Sequence, residues 1–275
     1  MSKIQIITDS TAYFTKEEAE KRNIDVVPLS VNFEGEVITE GFPGEFEYFF
    51  EKLKTSSEFP TTSQPSTDAF IKVFERALSN DKEIITIVIS SKLSGTYDNA
   101  CMAASMLSSD KITIIDSETS VSNLRFLVEI AWELAQEGKS RQEIVEVIMK
   151  EKEKAGIRLT VDNLEYLKRG GRLTGTQAFV GTMLNIKPII SLMEGKLIPV
   201  EKVRGKKKAI KSMMDSIPDN VKKISVCHVL NIEEAEEIKK ILQEKYPHAS
   251  VSVDELGPVV GSHLGPKAIG ICYKW

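Results

Sequence analysis

Ser94 and Gly95 form the pair in this 275-residue chain whose chemistry is easiest to state. They lie in Ser90-Ser91-Lys92-Leu93-Ser94-Gly95-Thr96-Tyr97. Before that stretch runs Glu83-Ile84-Ile85-Thr86-Ile87-Val88-Ile89, and after it Ala100, Ala103, Ala104 and Leu107 recur at helical spacing. The β-branched run reads as a strand buried on both faces, as in a parallel sheet. The stretch is therefore a strand–loop–helix turn with Ser94 at the expected N-cap. A helix start leaves backbone N–H groups unpaired and carries a partial positive charge. A hydroxyl with a glycine beside it lets a ligand anion come close to that backbone. Every helix needs a cap, so the same residues also read as a cap and nothing more. A P-loop is excluded, because no glycine stands where one is required, and so is a nucleophile elbow, because Lys92 and Thr96 occupy the glycine positions around Ser94.

Other polar groups sit at the ends of apolar runs. Lys3 to Ile7 reads as a strand ending in Thr8-Asp9-Ser10, and Lys111 to Ile115 as one ending in Asp116-Ser117. Two parallel strands would deliver these residues to one carboxyl edge, where open α/β sheets bind ligands, although Asp and Ser equally cap the helices that follow. Phe59-Pro60-Thr61-Thr62-Ser63-Gln64-Pro65-Ser66 places hydroxyls between two prolines. It reads as a rigid connector that could also hydrogen-bond an anion. Gly257 to Pro266 reads as a tight loop around one histidine, His263. Arg204-Gly205-Lys206-Lys207-Lys208 opens a helix reaching Met214, where cations oppose the dipole. That cluster suits either a solvated surface or an acidic or phosphorylated partner.

The remaining elements must position these groups. Val26 to Phe33 reads as one strand, on an edge because of Pro28. Helices are expected over 42–54, from Ser66 or Thr67 onward, over Val121 to Gln136 and from Arg141 to Lys154. A boundary near Gly156 separates a first domain, 1–155, from a second, 156–275. In the second, Ile157 to Val161 is a strand and Leu164 to Arg169 a short helix stopped by Gly170-Gly171. Gln177 to Asn185, apolar on most sides, is a buried segment. Pro188 to Leu192 and Leu197 to Val200 form a hairpin around Glu194-Gly195. Strand, helix and strand follow at Ile224–Val229, Ile232–Leu242 and Ser250–Val253, with a last strand at Ile269–Cys272.

Composition narrows the function. Hydrophobic residues are 41% and charged residues 28%, as in soluble globular proteins. The net charge of −4 argues against general nucleic-acid binding. Cys101, Cys227 and Cys272 are scattered, with no C-x-x-C pair. That leaves neither a disulfide framework nor a zinc site and suits a reducing cytosol. No apolar run is long enough to cross a membrane, and Asp9 stands where a signal peptide needs its apolar core, so the expected location is cytoplasmic.

Five stretches together resemble the DegV family: Thr8-Asp9-Ser10-Thr11, Thr62-Ser63-Gln64-Pro65-Ser66, Leu93-Ser94-Gly95-Thr96-Tyr97, Tyr166-Leu167-Lys168-Arg169-Gly170-Gly171-Arg172 and Gly261-Ser262-His263-Leu264-Gly265-Pro266. They come in the family's order across essentially the whole chain. The resemblance implies an α/β protein of two domains, the first a largely parallel sheet with flanking helices and the second a mixed sheet with helices. It implies a long-chain fatty acid held between them. It also implies a non-catalytic carrier that presents the acyl carboxylate to a separate fatty acid kinase subunit, with no metal, cofactor, nucleic acid or stable membrane insertion. Thr62 and Ser94, with Gly95, and His263 would hold the carboxylate, while Arg172 and Arg204 would be supporting or partner-facing. Two departures bear on pocket shape: Asn123-Leu124-Arg125 stands where the family often has Gly-x-Gly, and Lys267 where it often has glycine. The acyl tail is expected along Gln177 to Asn185. The rival reading is a hydrolase with Ser94 as nucleophile and His263 as base. It lacks an identifiable acid and the elbow motif.

Overall fold

A computed structural model describes residues 3–173 and 186–275. The chain divides into two compact units, Met1–Glu153 and Lys154–Trp275, and each is described by itself. In the first, β1 (Ile4–Asp9), α1 (Lys16–Arg22), β2 (Asp25–Val27), β3 (Ser30–Phe33), β4 (Glu36–Thr39), α2 (Glu47–Thr55) and β5 (Thr61–Ser63) lead to α3 (Thr67–Ser79) and β6 (Glu83–Val88). Then come α4 (Thr96–Leu107), β7 (Ile112–Asp116), α5 (Val121–Gln136) and α6 (Arg141–Glu151). A parallel sheet has the order β2-β1-β6-β7.

Both faces of this sheet are covered, which is why its strands are apolar almost throughout. Ile4, Ile6, Ile85 and Ile87 pack with Leu124, Leu127 and Val128 of α5 and Ile144 and Ile148 of α6. On the other face Ile7, Ile84 and Val88 meet Phe70 and Phe74 of α3 and Ala100 and Ala103 of α4. Ser66 caps α3 by accepting from the Ala69 amide, and Ser140 and Glu143 form a capping box at α6.

Three expectations change in this unit. Val26 to Phe33 is two strands: β2 lies in the parallel sheet, whereas β3 pairs antiparallel with β4 and β5 in a separate sheet. Pro28, which has no N–H to give, stands at the switch. Part of the hydroxyl-rich connector is a strand, with Thr62 opposite Val31. The helix expected from residue 42 starts at Glu47, since Gly44 at φ 92° is outside the helical region.

The second unit contains β8 (Ala155–Thr160), α7 (Glu165–Gly170), β9 (Ile186–Met193), β10 (Lys196–Arg204), α8 (Lys206–Asp215) and β11 (Lys223–His228). It ends with α9 (Ile232–Lys245), β12 (Ser250–Glu255), α10 (Pro258–Leu264) and β13 (Ile269–Lys274). Its mixed sheet runs β10-β9-β8-β13-β11-β12, and only β11 and β12 are parallel, joined through α9. The hairpin turns at Glu194-Gly195, both at positive φ, as a two-residue hairpin loop requires. Helices α8 and α9 bury Ala209, Met213, Ile238 and Leu242 against Ile224, Val226 and Ile271. The expected loop around His263 is helix α10, with Pro258 at its start and Gly265 just past its end. Those positions suit the two residues, because proline has no amide to lose at a helix start. The segment from Gln177 to Asn185 lies outside the described residues.

Candidate functional site

In the first unit the site is built on the loop that leaves β6. Asp9 ends β1 and Asp116 ends β7, the two strands flanking β6. Asp9 Oδ2 accepts from the Ile89 amide at 2.7 Å, while its Oδ1 takes the Thr11 amide and hydroxyl at 2.9 and 2.6 Å. Asp116 Oδ1 accepts from the Ser91 amide at 3.1 Å and the Glu118 amide at 2.9 Å. The two carboxylates therefore hold the Ser94 loop from both sides, which settles their reading as backbone-capping groups. Burial pushes the Asp9 pKa up, against the three hydrogen bonds that favour its charged form. Ser90 tightens the turn further: its carbonyl accepts from the amides of Leu93 and Ser94, and its hydroxyl from the amide of Lys92.

Ser94, the expected cap, sits one residue before the observed one. Gly95 is the N-cap of α4 and makes no side-chain cap bond, while Ser94 Oγ lies 2.9 Å from Thr96 Oγ1. The hydroxyls of Ser94 and Thr96 thus pair at the mouth of the helix. Sequence reading missed two groups here. Gln64 packs over Gly95, so that a Cβ at Gly95 would stand 3.0 Å from its Nε2. Asn99 Nδ2 donates to the Pro65 carbonyl at 2.8 Å and ties α4 to the segment that carries Thr62. The structure therefore joins the Thr62 and Ser94 stretches. Their signal was Asn99, one helical turn beyond the glycine.

The buried start of α5 holds the first departure from the family pattern. Asn123 and Arg125 are both enclosed, and Arg125 Nη1 donates to the Tyr13 carbonyl at 3.2 Å. Val121 is at φ 50°, which is unfavourable for a β-branched residue. Near it Glu40 is buried and accepts from Ser10 Oγ at 2.5 Å and from the Tyr13 hydroxyl at 3.3 Å.

In the second unit, α7 and α10 pack together and bring two motifs into one group. Gly170 lies so close to His263 that a methyl group there would overlap Nδ1, and the Tyr166 ring fills the space beside Gly265. Arg172 Nη1 donates to the Gly170 carbonyl at 2.6 Å. Nδ1 of His263 is shut off from solvent. Burial first, and the Arg172 charge second, push the His263 pKa down to about 4, so the imidazole is neutral at pH 7. Neutral imidazole offers one N–H donor and one acceptor. Arg172 is itself half-buried, and burial lowers its pKa.

Arg204 is not joined to this group by any hydrogen bond or ion pair. It is exposed at the end of β10. Next to it, Lys206 Nζ pairs with Glu234 at 2.7 Å and donates to the Lys267 carbonyl at 3.1 Å, so part of the cationic cluster is locally satisfied. Lys267 itself has φ 63°, a conformation that glycine takes without strain. Among the described residues no cluster of His, Cys, Asp and Glu could hold a metal ion, and no helix is long and apolar enough to cross a membrane.

A family model described as "Uncharacterised protein, DegV family" matches residues 3–274. The chain belongs to the DegV family. Protein DegV of Bacillus subtilis is 36% identical over 276 residues, 98% of each chain. The crystal structure of the Bacillus subtilis protein, described as a fatty acid binding protein, superposes with a TM-score of 0.89 at 35% identity and covers all of both chains. A DegV family protein from Thermus thermophilus, described by its fatty acid binding, gives 0.90 at 31% identity, over 100% of this chain and 99% of the other. A stearic-acid-binding protein from Eubacterium ventriosum gives 0.87 at 26% identity, over 98% of each.

Proposed function

We propose that this DegV family protein binds a long-chain fatty acid and presents its carboxylate to a separate fatty acid kinase subunit in the cytoplasm. The observation that carries the reading is the end-to-end likeness to solved relatives described as fatty acid binding. The site chemistry agrees with it. Thr62 and Ser94 with Gly95 in the first unit, and His263 in the second, are uncharged donors suited to a carboxylate, while Arg172 supplies positive charge beside the imidazole. The tail supplies most of the affinity. At ~0.8 kcal/mol per buried methylene, about a dozen give roughly 10 kcal/mol before ordering costs. The carboxylate donors then fix orientation. Arg204 is left for the partner. Hydrolysis gains no support: Ser94 is engaged by Thr96 in its own turn, and none of these relatives is described as a hydrolase.

The test is mass spectrometry of an organic extract of protein purified without added lipid. A stoichiometric long-chain fatty acid is expected. An empty extract, with delipidated and refolded protein also taking up none, overturns the reading.

A further inference from the structure

A cavity lies at the amino ends of the strands of the parallel sheet, the end opposite Asp9 and Asp116. Its volume is about 600 Å3, in the range of small-molecule sites. The start of β1 and the last turns of α1, α3 and α5 enclose it. We propose that this cavity binds a phosphate-bearing small molecule.

Its charge is the first argument. Lys21, Arg22, Arg76 and Lys82 line it against one carboxylate, Asp25, in a chain whose net charge is −4. Helix C-termini attract cations, and Lys21, Arg22 and Arg76 do stand in last turns. Lys82, by contrast, stands outside the helices, just before β6. Arg76 is paired with Asp25 at 2.6 Å, and Arg22 reaches Glu129 and Glu18 only at 3.9 and 4.0 Å. Among the described residues neither Lys21 nor Lys82 has a carboxylate within 4 Å, although Lys82 is close enough to Asp25 to favour its charged form.

The second argument is that the walls are built in advance. Gln5 is 4% exposed between Ile4 and Ile6 near the start of β1. Its Oε1 accepts from Lys82 Nζ at 2.6 Å and from Asn23 Nδ2 at 3.1 Å, so it fixes the direction of the Lys82 ammonium. Trp132 forms another wall, fixed by its Nε1 donating to the Arg22 carbonyl at 2.7 Å, and the Arg22 guanidinium lies 5.7 Å from its ring centroid. Point-charge lysines beside a guanidinium fork suit phosphate oxygens. This inference is independent of the fatty acid reading.

The chain has two tryptophans, so Trp275→Phe leaves Trp132 as the sole reporter. Pyrophosphate and AMP are titrated into that protein at constant ionic strength while its fluorescence is read. A saturable change is expected with at least one probe. Lys21→Ala and Lys82→Gln should each weaken it at least tenfold, with the melting temperature of Lys21→Ala unchanged. Tighter binding of AMP than of pyrophosphate assigns the base to the Trp132 wall, and equal binding restricts recognition to the phosphates. The proposal is overturned if neither probe gives saturation, if sodium chloride of equal ionic strength reproduces the change, or if Lys21→Ala binds as before.

Discussion

Replacing Gly170 by alanine should separate stability from ligand binding. Gly170 is the last helical residue of α7 and does not have positive φ, so the backbone accepts alanine. Alanine in a helix gains ~0.5–1 kcal/mol over glycine. The added methyl group, however, overlaps His263 Nδ1. The neighbour in its way is a side chain, so the imidazole rotates or slides at a cost of roughly 1–3 kcal/mol of overpacking. Net stability should therefore fall by no more than about 2.5 kcal/mol, taking the two effects together. If His263 holds the carboxylate as proposed, fatty acid affinity should fall further than this small change in stability suggests, because the displaced ring would no longer donate to it. A hydrogen bond to a charged group is worth ~1.5–3 kcal/mol, or roughly tenfold to a hundredfold in Kd. Melting curves and competition against a fluorescent fatty acid, measured on the same preparation, read both quantities. His263→Gln, which keeps a donor, should retain more affinity than His263→Ala. An unchanged Kd in Gly170→Ala refutes the reasoning, since it would mean that the ring position does not matter to the ligand.

Other outcomes follow from the same geometry. Ser94→Ala and Thr62→Val should each weaken fatty acid binding by roughly 1.5–3 kcal/mol by calorimetry with the circular dichroism spectrum intact; unchanged affinity in both would move the carboxylate elsewhere. The His263 pKa is lowered from 6.5 to about 4, so between these values the unfolded chain binds a proton that the folded chain refuses. Stability should therefore fall as pH drops from 6.5 towards 4, by at most about 3 kcal/mol at ~1.4 kcal/mol per unit, and His263→Gln should remove that slope from urea midpoints. Arg204→Ala should retain fatty acid affinity yet lose tenfold or more in kinase-coupled acyl phosphate formation, about 1.4 kcal/mol of barrier. Equal losses in both assays would put Arg204 in the binding site proper.

Much of the fold was legible because its signals are local. The runs at β1, β6 and β7 and the Glu194-Gly195 hairpin are set by residues a few positions apart. What failed needed partners distant in sequence. A single largely apolar stretch from Val26 to Phe33 cannot show that its halves join different sheets, and only the missing amide of Pro28 hinted at it. Three glycines and two prolines around His263 carry a loop signal. Yet Pro258 and Gly265 are the start and stop of a helix, and packing against α7 decides the matter. In the candidate site, residue types were readable and their duties were not. Asp9 and Asp116 looked available to a ligand because strand ends usually are, but both are engaged by loop amides.

This division of labour has a physical reason. A carboxylate ligand would be repelled by free aspartates at the sheet edge. Amide donors from Ile89, Thr11, Ser91 and Glu118 engage both carboxylates, and the same bonds fix the loop that holds Ser94. The second unit meets the mirror problem. Burial first, and the nearby Arg172 charge second, disfavour the imidazolium, and the histidine yields its proton. One permanent positive charge then remains beside a neutral donor. On the proposed reading that pair would orient a single carboxylate and leave affinity to the apolar tail. Such a site would select chiefly by how much methylene surface the ligand can bury.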